Sequence, residues 1–234
     1  MAPVQRRPSP PRLLIAAGIL LIAALLALGT WQVQRRAWKL DLIARVDARV
    51  HAPAMPAPGP AAWRGLDRRD AEYTRVAATG MFDHAATVRV QAVTVRGGGY
   101  WLLTPLATDR GFVVLVNRGF VPAEGGAPVW NPAGRVRVEG LLRWTEPGGG
   151  FLRANDPAAG RWHSRDVAAI AAHRRLHGAA PYFIDADAVA GHPAPAGGMT
   201  VIAFANNHLV YALTWYALAA MTAAALVVLY RRSA

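Results

Sequence analysis

Seven histidines and no cysteine bound the chemistry open to this 234-residue chain. Without cysteine there is no disulfide, no Cys-x-x-Cys redox or copper site, no thiolate nucleophile and no covalent attachment of c-type haem. His51, His84 and His192 stand in loops or at turn edges, where a surface role is expected. His173 and His177 have the i, i+4 spacing of a metal pair. Arg174 and Arg175 lie between them with no carboxylate near, so helix-end capping is the expected use. His163 follows Trp162 and is open to either a structural hydrogen bond or a surface role. His208 differs by its address: it follows Asn206 and Asn207 and opens a long uncharged apolar run, with Tyr211 and Trp215 near the same helical face. Two readings stand for it. One is an interfacial aromatic belt with a single polar residue. The other is a haem axial ligand, because neutral imidazole is a common iron donor and flanking aromatics can cover a porphyrin.

Other constellations are weak. No nucleophile motif and no phosphate-cradling glycine loop is visible, so a membrane-tethered hydrolase is disfavoured and no enzyme activity is expected. Gly97, Gly98 and Gly99 suggest a turn before Tyr100. Arg118 and Gly119 end a strand, where glycine permits an unusual backbone angle and the arginine is expected to pair with an acid.

The elements that must position these residues follow from the charge pattern. The net charge of +12 resembles a nucleic-acid signature, yet all the acids fall between Asp41 and Asp187 and much of the basic excess flanks the apolar ends. That distribution fits membrane topology and argues against nucleic acid as a partner. Arg6, Arg7 and Arg12 precede an apolar run over residues 13–31, and about 19 residues at ~1.5 Å each approach the ~30 Å of hydrocarbon. A leader cleaved near Ala27 and Gly29 is the competing reading of this run. Residues 209–230 form a second, charge-free run stopped by Arg231 and Arg232, which favour a cytoplasmic C-terminus. Small residues at four-residue spacing, Ala23 with Ala27 and Ala220 with Ala224, are candidate faces for packing the two helices.

Between the runs, residues 31–50 keep a helix-compatible pattern that extends the first helix beyond the bilayer, and residues 52–62 form a Pro- and Ala-rich linker. Strands are expected over 73–82, 87–95, 100–108, 112–120 and 135–145, with a hairpin turn at Asp109, Arg110 and Gly111. Phe112 to Val116 is continuously apolar, as in a strand buried on both faces. Val136 and Val138 alternate with charges until Gly140, where a bulge is expected. One helix should start at Ser164 as N-cap, with Asp166 in its first turn, and stop at Gly178; a last strand covers 182–185. The fold class is therefore an α+β membrane protein: a two-transmembrane-helix hairpin with an inserted, mostly antiparallel β extracytoplasmic domain carrying one helix. Its parts are a cytoplasmic tail 1–12, spans 13–31 and 209–230, the domain 32–207 and a tail 231–234.

Several segments in order resemble the Surfeit-locus family of assembly factors for haem-copper terminal oxidases: LGTWQVQRRAWKLDLI from Leu28, GYWLLTPL from Gly99, VLVNRGFVP around Leu115, PYFIDA from Pro181 and NNHLVYALTWY from Asn206. Phe120 and Tyr216 stand where Trp and Phe are expected, and Val210 where Gln is frequent. The resemblance implies retention of both spans and a role in maturing the catalytic subunit of cytochrome c oxidase or a related quinol oxidase by binding haem a and aiding its delivery. It implies His208 as the metal ligand, with Tyr211, Trp215 and Trp31 giving hydrophobic contact to the macrocycle. The implied partners are the oxidase catalytic subunit, a haem a synthase and membrane lipid. The expected location is a bacterial inner membrane, with both termini cytoplasmic and the main domain periplasmic. The alternative is a non-haem membrane scaffold that stabilises oxidase subunits during assembly.

Overall fold

A computed structural model describes residues 12–150 and 153–233. Most of the expected N-terminal tail, including Arg6 and Arg7, and the last residue of the C-terminal tail lie outside the described residues. The chain divides into a helical unit, Met1–Arg45 with Ala203–Ala234, and a β unit, Val46–Ile202.

In the helical unit, α1 (Arg12–His51) opens on the first apolar run and continues without a break through the charged segment expected to extend it. The second apolar run forms α5 (His208–Ser233). Both helices are long and apolar enough to cross a membrane. They run antiparallel where they touch: Gly18 meets Leu226, Gly29 meets the ring of Tyr216, and the Thr30 hydroxyl lies 3.1 Å from the Tyr216 hydroxyl. The small residues at this contact are not those expected. Ala23, Ala27, Ala220 and Ala224 are all exposed, whereas Leu25, Gly29, Ala212 and Ala219 are buried. The reason is steric complementarity. A Cβ on Gly29 would stand 2.6 Å from the Tyr216 ring, so on α1 glycine faces the bulky residue and Ala23 and Ala27 are left outside.

The β unit begins with β1 (Met55–Pro56), α2 (Pro60–Trp63) and α3 (Arg68–Ala71), so the expected linker contains a short strand and the start of a helix. The strands follow their expected segments closely: β2 (Arg75–Phe82), β3 (Val88–Thr94), β4 (Gly97–Thr108), β5 (Val113–Pro122), β6 (Arg135–Trp144) and β7 (Ala179–Ala186). Their order is β1-β2-β6-β7-β5-β4-β3, and β2 also pairs with the end of β4. That extra pairing closes β2, β6, β7, β5 and β4 into a ring. Pairing is antiparallel except for β1 with β2 and β5 with β7.

Period-two alternation then builds two cores. Val76, Leu106, Val114, Val116, Leu142 and Ile184 share one buried cluster with Tyr182. Their opposite-facing neighbours Leu103, Leu115 and Phe183 join Val88, Val90 and Trp162 in a second cluster, closed by Val167 and Ile170 of α4 (Val167–His173). Each fully buried aliphatic or aromatic side chain contributes about 1.5–3 kcal/mol.

Four local expectations change. Gly97 to Gly99 lie inside β4, and the turn falls on Val95 and Arg96. Gly140 is not a bulge: its pairing to Val76 and Ala186 is regular, and glycine is needed because a Cβ would lie 2.1 Å from the Asp185 carbonyl. The register shift is instead in β4, between Trp101 and Leu103. Asp166, not Ser164, caps α4 by accepting from the Ala169 amide, because the Ser164 hydroxyl accepts from the Gly149 amide and Asn155. The helix ends at His173, before Gly178.

Candidate functional site

His208 is the first residue of α5 and is half-buried. Its Nδ1 lies 2.7 Å from Oε1 of Gln32 on α1. A carboxamide oxygen only accepts, so Nδ1 carries the proton and donates. In the neutral ring this leaves the lone pair on Nε2, the atom a metal would use, with the ring orientation fixed by its other nitrogen. The Asn206 side-chain oxygen, two residues earlier, is buried without a partner. The imidazole so held could serve a haem as its nitrogen donor, whereas the Asn206 oxygen, which only accepts, adds nothing specific to haem.

The aromatics expected around it are placed unevenly. Tyr211 and Trp215 follow His208 at i+3 and i+7 on α5, with Tyr211 54% exposed and Trp215 half-buried. Trp31 is also 54% exposed, and its neighbour Gln32 is the residue that reaches His208. Among the described residues, no ring contact joins Trp31, Tyr211 and Trp215. Sequence reading missed Gln32. It lies in the motif at the end of the first span but 176 residues from its partner, and only the antiparallel contact brings the two together.

Other histidines are engaged elsewhere. In His84, Nε2 lies 2.9 Å from the Pro132 carbonyl and must donate to it, so Nδ1 accepts from Arg118 at 3.3 Å. That replaces the expected surface role. His192 stacks on Trp130 with ring centroids 4.1 Å apart, and His173 meets Trp162 edge-on at 5.6 Å. Among the described residues Arg118 pairs with no acid; it donates to Asn131 and the Trp130 carbonyl, and its burial lowers its pKa. Gly119, at φ +127°, allows the strand's end to pass against the Ala196 carbonyl.

The densest polar cluster of the β unit centres on Asp185 in β7. Its carboxylate accepts from Asn117 Nδ2 at 2.7 Å, Arg143 Nη1 at 2.9 Å, Thr200 Oγ1 at 2.9 Å and Arg165 Nη1 at 3.2 Å. Burial disfavours the charge on Arg165, but hydrogen bonding to Glu146 and the charges of Asp185 and Glu146 outweigh it and raise its pKa. Apart from Arg143 Nε, which is buried without a hydrogen-bond partner, these groups pair with one another around a cavity of about 210 Å³ and tie β5, β6 and β7 together. Among the described residues, no group of three or more His, Cys, Asp or Glu could hold a bare metal ion. A haem, which brings its own ring nitrogens, would not require such a cluster and could be held by a single side-chain donor such as His208.

Comparison with known proteins shows the family of the chain. The SURF1 family profile matches residues 19–220. Surfeit locus protein 1 of Homo sapiens is 38% identical over 217 residues, 83% of this chain and 70% of that protein. The Mus musculus protein of the same name is 36% identical over 225 residues, 87% of this chain and 71% of that protein. A SURF1-like protein of Monosiga brevicollis is 38% identical over 224 residues, 88% of this chain and 83% of its own length. The matches extend from α1 into α5 and include both Gln32 and His208 within the profile, so this chain belongs to the SURF1 family.

Proposed function

We propose that this chain is a non-enzymatic assembly factor for a haem-copper terminal oxidase, cytochrome c oxidase in the first instance. Family membership supports the role in oxidase assembly. In this reading the chain binds haem a as cargo and aids its transfer to the catalytic subunit, working beside a haem a synthase. The observation that carries the haem assignment is the 2.7 Å hydrogen bond from His208 Nδ1 to Gln32, which leaves Nε2 available to iron. Gln32 keeps the imidazole in one tautomer. Tyr211, Trp215 and Trp31 offer apolar surface to a macrocycle.

The paired apolar helices support spans at 13–31 and 209–230. The proposed location is a bacterial inner membrane with tails 1–12 and 231–234 in the cytoplasm and residues 32–207 in the periplasm. Topology reporters fused at Gly149 and after Arg232 should then lie on opposite sides, and reporting on one side would refute the hairpin. For the function, deleting the gene should lower a-type oxidase absorbance and activity while soluble haem enzymes keep theirs. Wild-type complementation should restore both, and His208→Ala only part. Unchanged oxidase in the deletion strain would overturn the assignment.

A further inference from the structure

A second polar region of the β unit is built differently from the balanced cluster around Asp185. Arg89, Arg118 and Arg174 line one cavity of about 400 Å³ together with His84, Thr87 and Asn131, and no Asp or Glu lines it. Among the described residues none of these arginines makes an ion pair. The acid next to His84 in sequence, Asp83, is turned to the Ala85 and Ala86 amides, and Asp156, on the loop that carries Gly160, pairs with Arg161.

Arg118 forms the buried wall, only 7% exposed, and Phe82 covers it with Cζ 5.2 Å from the ring centroid. Three of its donor bonds go to His84, Asn131 and the Trp130 carbonyl, leaving two of a guanidinium's five N–H groups free. His84, whose Nε2 faces the Pro132 carbonyl and whose Nδ1 faces Arg118, brings no negative charge to it. Arg174 donates to the Thr87 carbonyl at 3.0 Å and is otherwise exposed at the rim with Arg89.

A buried cation with no counterion is costly, and its pKa is lowered accordingly. Arg118 also borders a larger cavity of about 440 Å³, but there the charges cancel locally, Arg137 with Glu139 and Arg75 with Asp187. The uncompensated charge therefore lies on the Arg89 and Arg174 side. Three guanidinium groups exceed what one carboxylate neutralises, whereas a phosphate group brings about −1.5 to −2 charges and three acceptor oxygens.

We propose that the cavity lined by Arg89, Arg118 and Arg174 is a binding site for a phosphate-bearing anion, whether free phosphate or the headgroup of an anionic lipid. Its occupancy completes the ion pairing that the β unit lacks at Arg118.

The test uses the full chain in a zwitterionic detergent at fixed ionic strength. Inorganic phosphate is titrated calorimetrically in one arm, and short-chain phosphatidic acid in the other, with phosphatidylcholine and chloride as controls. The comparison variant is Arg89→Gln with Arg174→Gln, exposed positions whose change leaves Arg118 and the fold in place. Saturable binding of phosphate, or of phosphatidic acid alone, at least about tenfold weaker in the double variant, supports the site. The arm that binds identifies the source. Binding in neither arm above the controls, or equal binding by the double variant, overturns it.

Discussion

The helical unit turns its large side chains outward: Leu13, Ile19, Leu20 and Met221 are each more than half exposed, while Gly29, Ala212 and Ala219 fill the contact line. The β unit does the reverse, burying Leu103, Leu106, Leu115 and Phe183 and exposing charged residues such as Arg135 and Arg137. In the proposed placement the first unit would turn that apolar surface to lipid, whereas the second is arranged as a fold in water is. The difference changes how a buried polar group should be interpreted. Asp185 sits among donors that match it, as a structural group in a water-solvated fold must. The Gln32–His208 bond stands where the two apolar runs end, where a polar group is expensive, and in the proposed function its free ring nitrogen is the atom offered to iron.

That comparison can be broken most forcefully at Asp185. Asp185→Ala would take from the half-buried Arg143 and Arg165 the buried acceptor they share and leave them Glu146, and should cost about 3–5 kcal/mol in chemical denaturation of the β unit. A loss below about 1 kcal/mol would mean the cluster is not structural. A smaller effect is expected within the helical unit. Gly29→Leu should separate the helices and weaken their association by about 1–3 kcal/mol, measured by cross-linking between Leu25 and Ala219 replaced by cysteine. Ala23→Leu, on the exposed face, should leave cross-linking unchanged. Equal effects of the two would contradict the observed contact line.

The sequence carried the local elements well, because each rests on local periodicity. Val136 and Val138 alternate with arginines in β6, and Phe112 to Val116 is apolar throughout at the start of β5. What it could not carry depends on distant pairing. Insertion of β7 between β5 and β6, and the closing contact of β2 with β4, join segments with no local signal for each other. The helix cap moved from Ser164 to Asp166 because residues 149 and 155 claimed the serine hydroxyl. Arg118 found carbonyl, carboxamide and imidazole partners in place of the expected acid, all supplied by loops. His208 was legible from its address and from the NNHLVYALTWY segment, but its orienting partner Gln32 required the helices to be packed.

The central claim is that His208, held by Gln32, offers its free nitrogen to haem a. It is tested most directly by absorption spectroscopy of the full chain purified from a host that makes haem a, compared with His208→Ala and Gln32→Leu. The account predicts a Soret band in the wild-type protein and reduced occupancy or a shifted band in His208→Ala. Gln32→Leu should fall between them, because it removes the orienting bond but keeps the imidazole. Full haem occupancy with an unaltered spectrum in His208→Ala would contradict the ligand assignment and leave His208 as part of an interfacial aromatic belt.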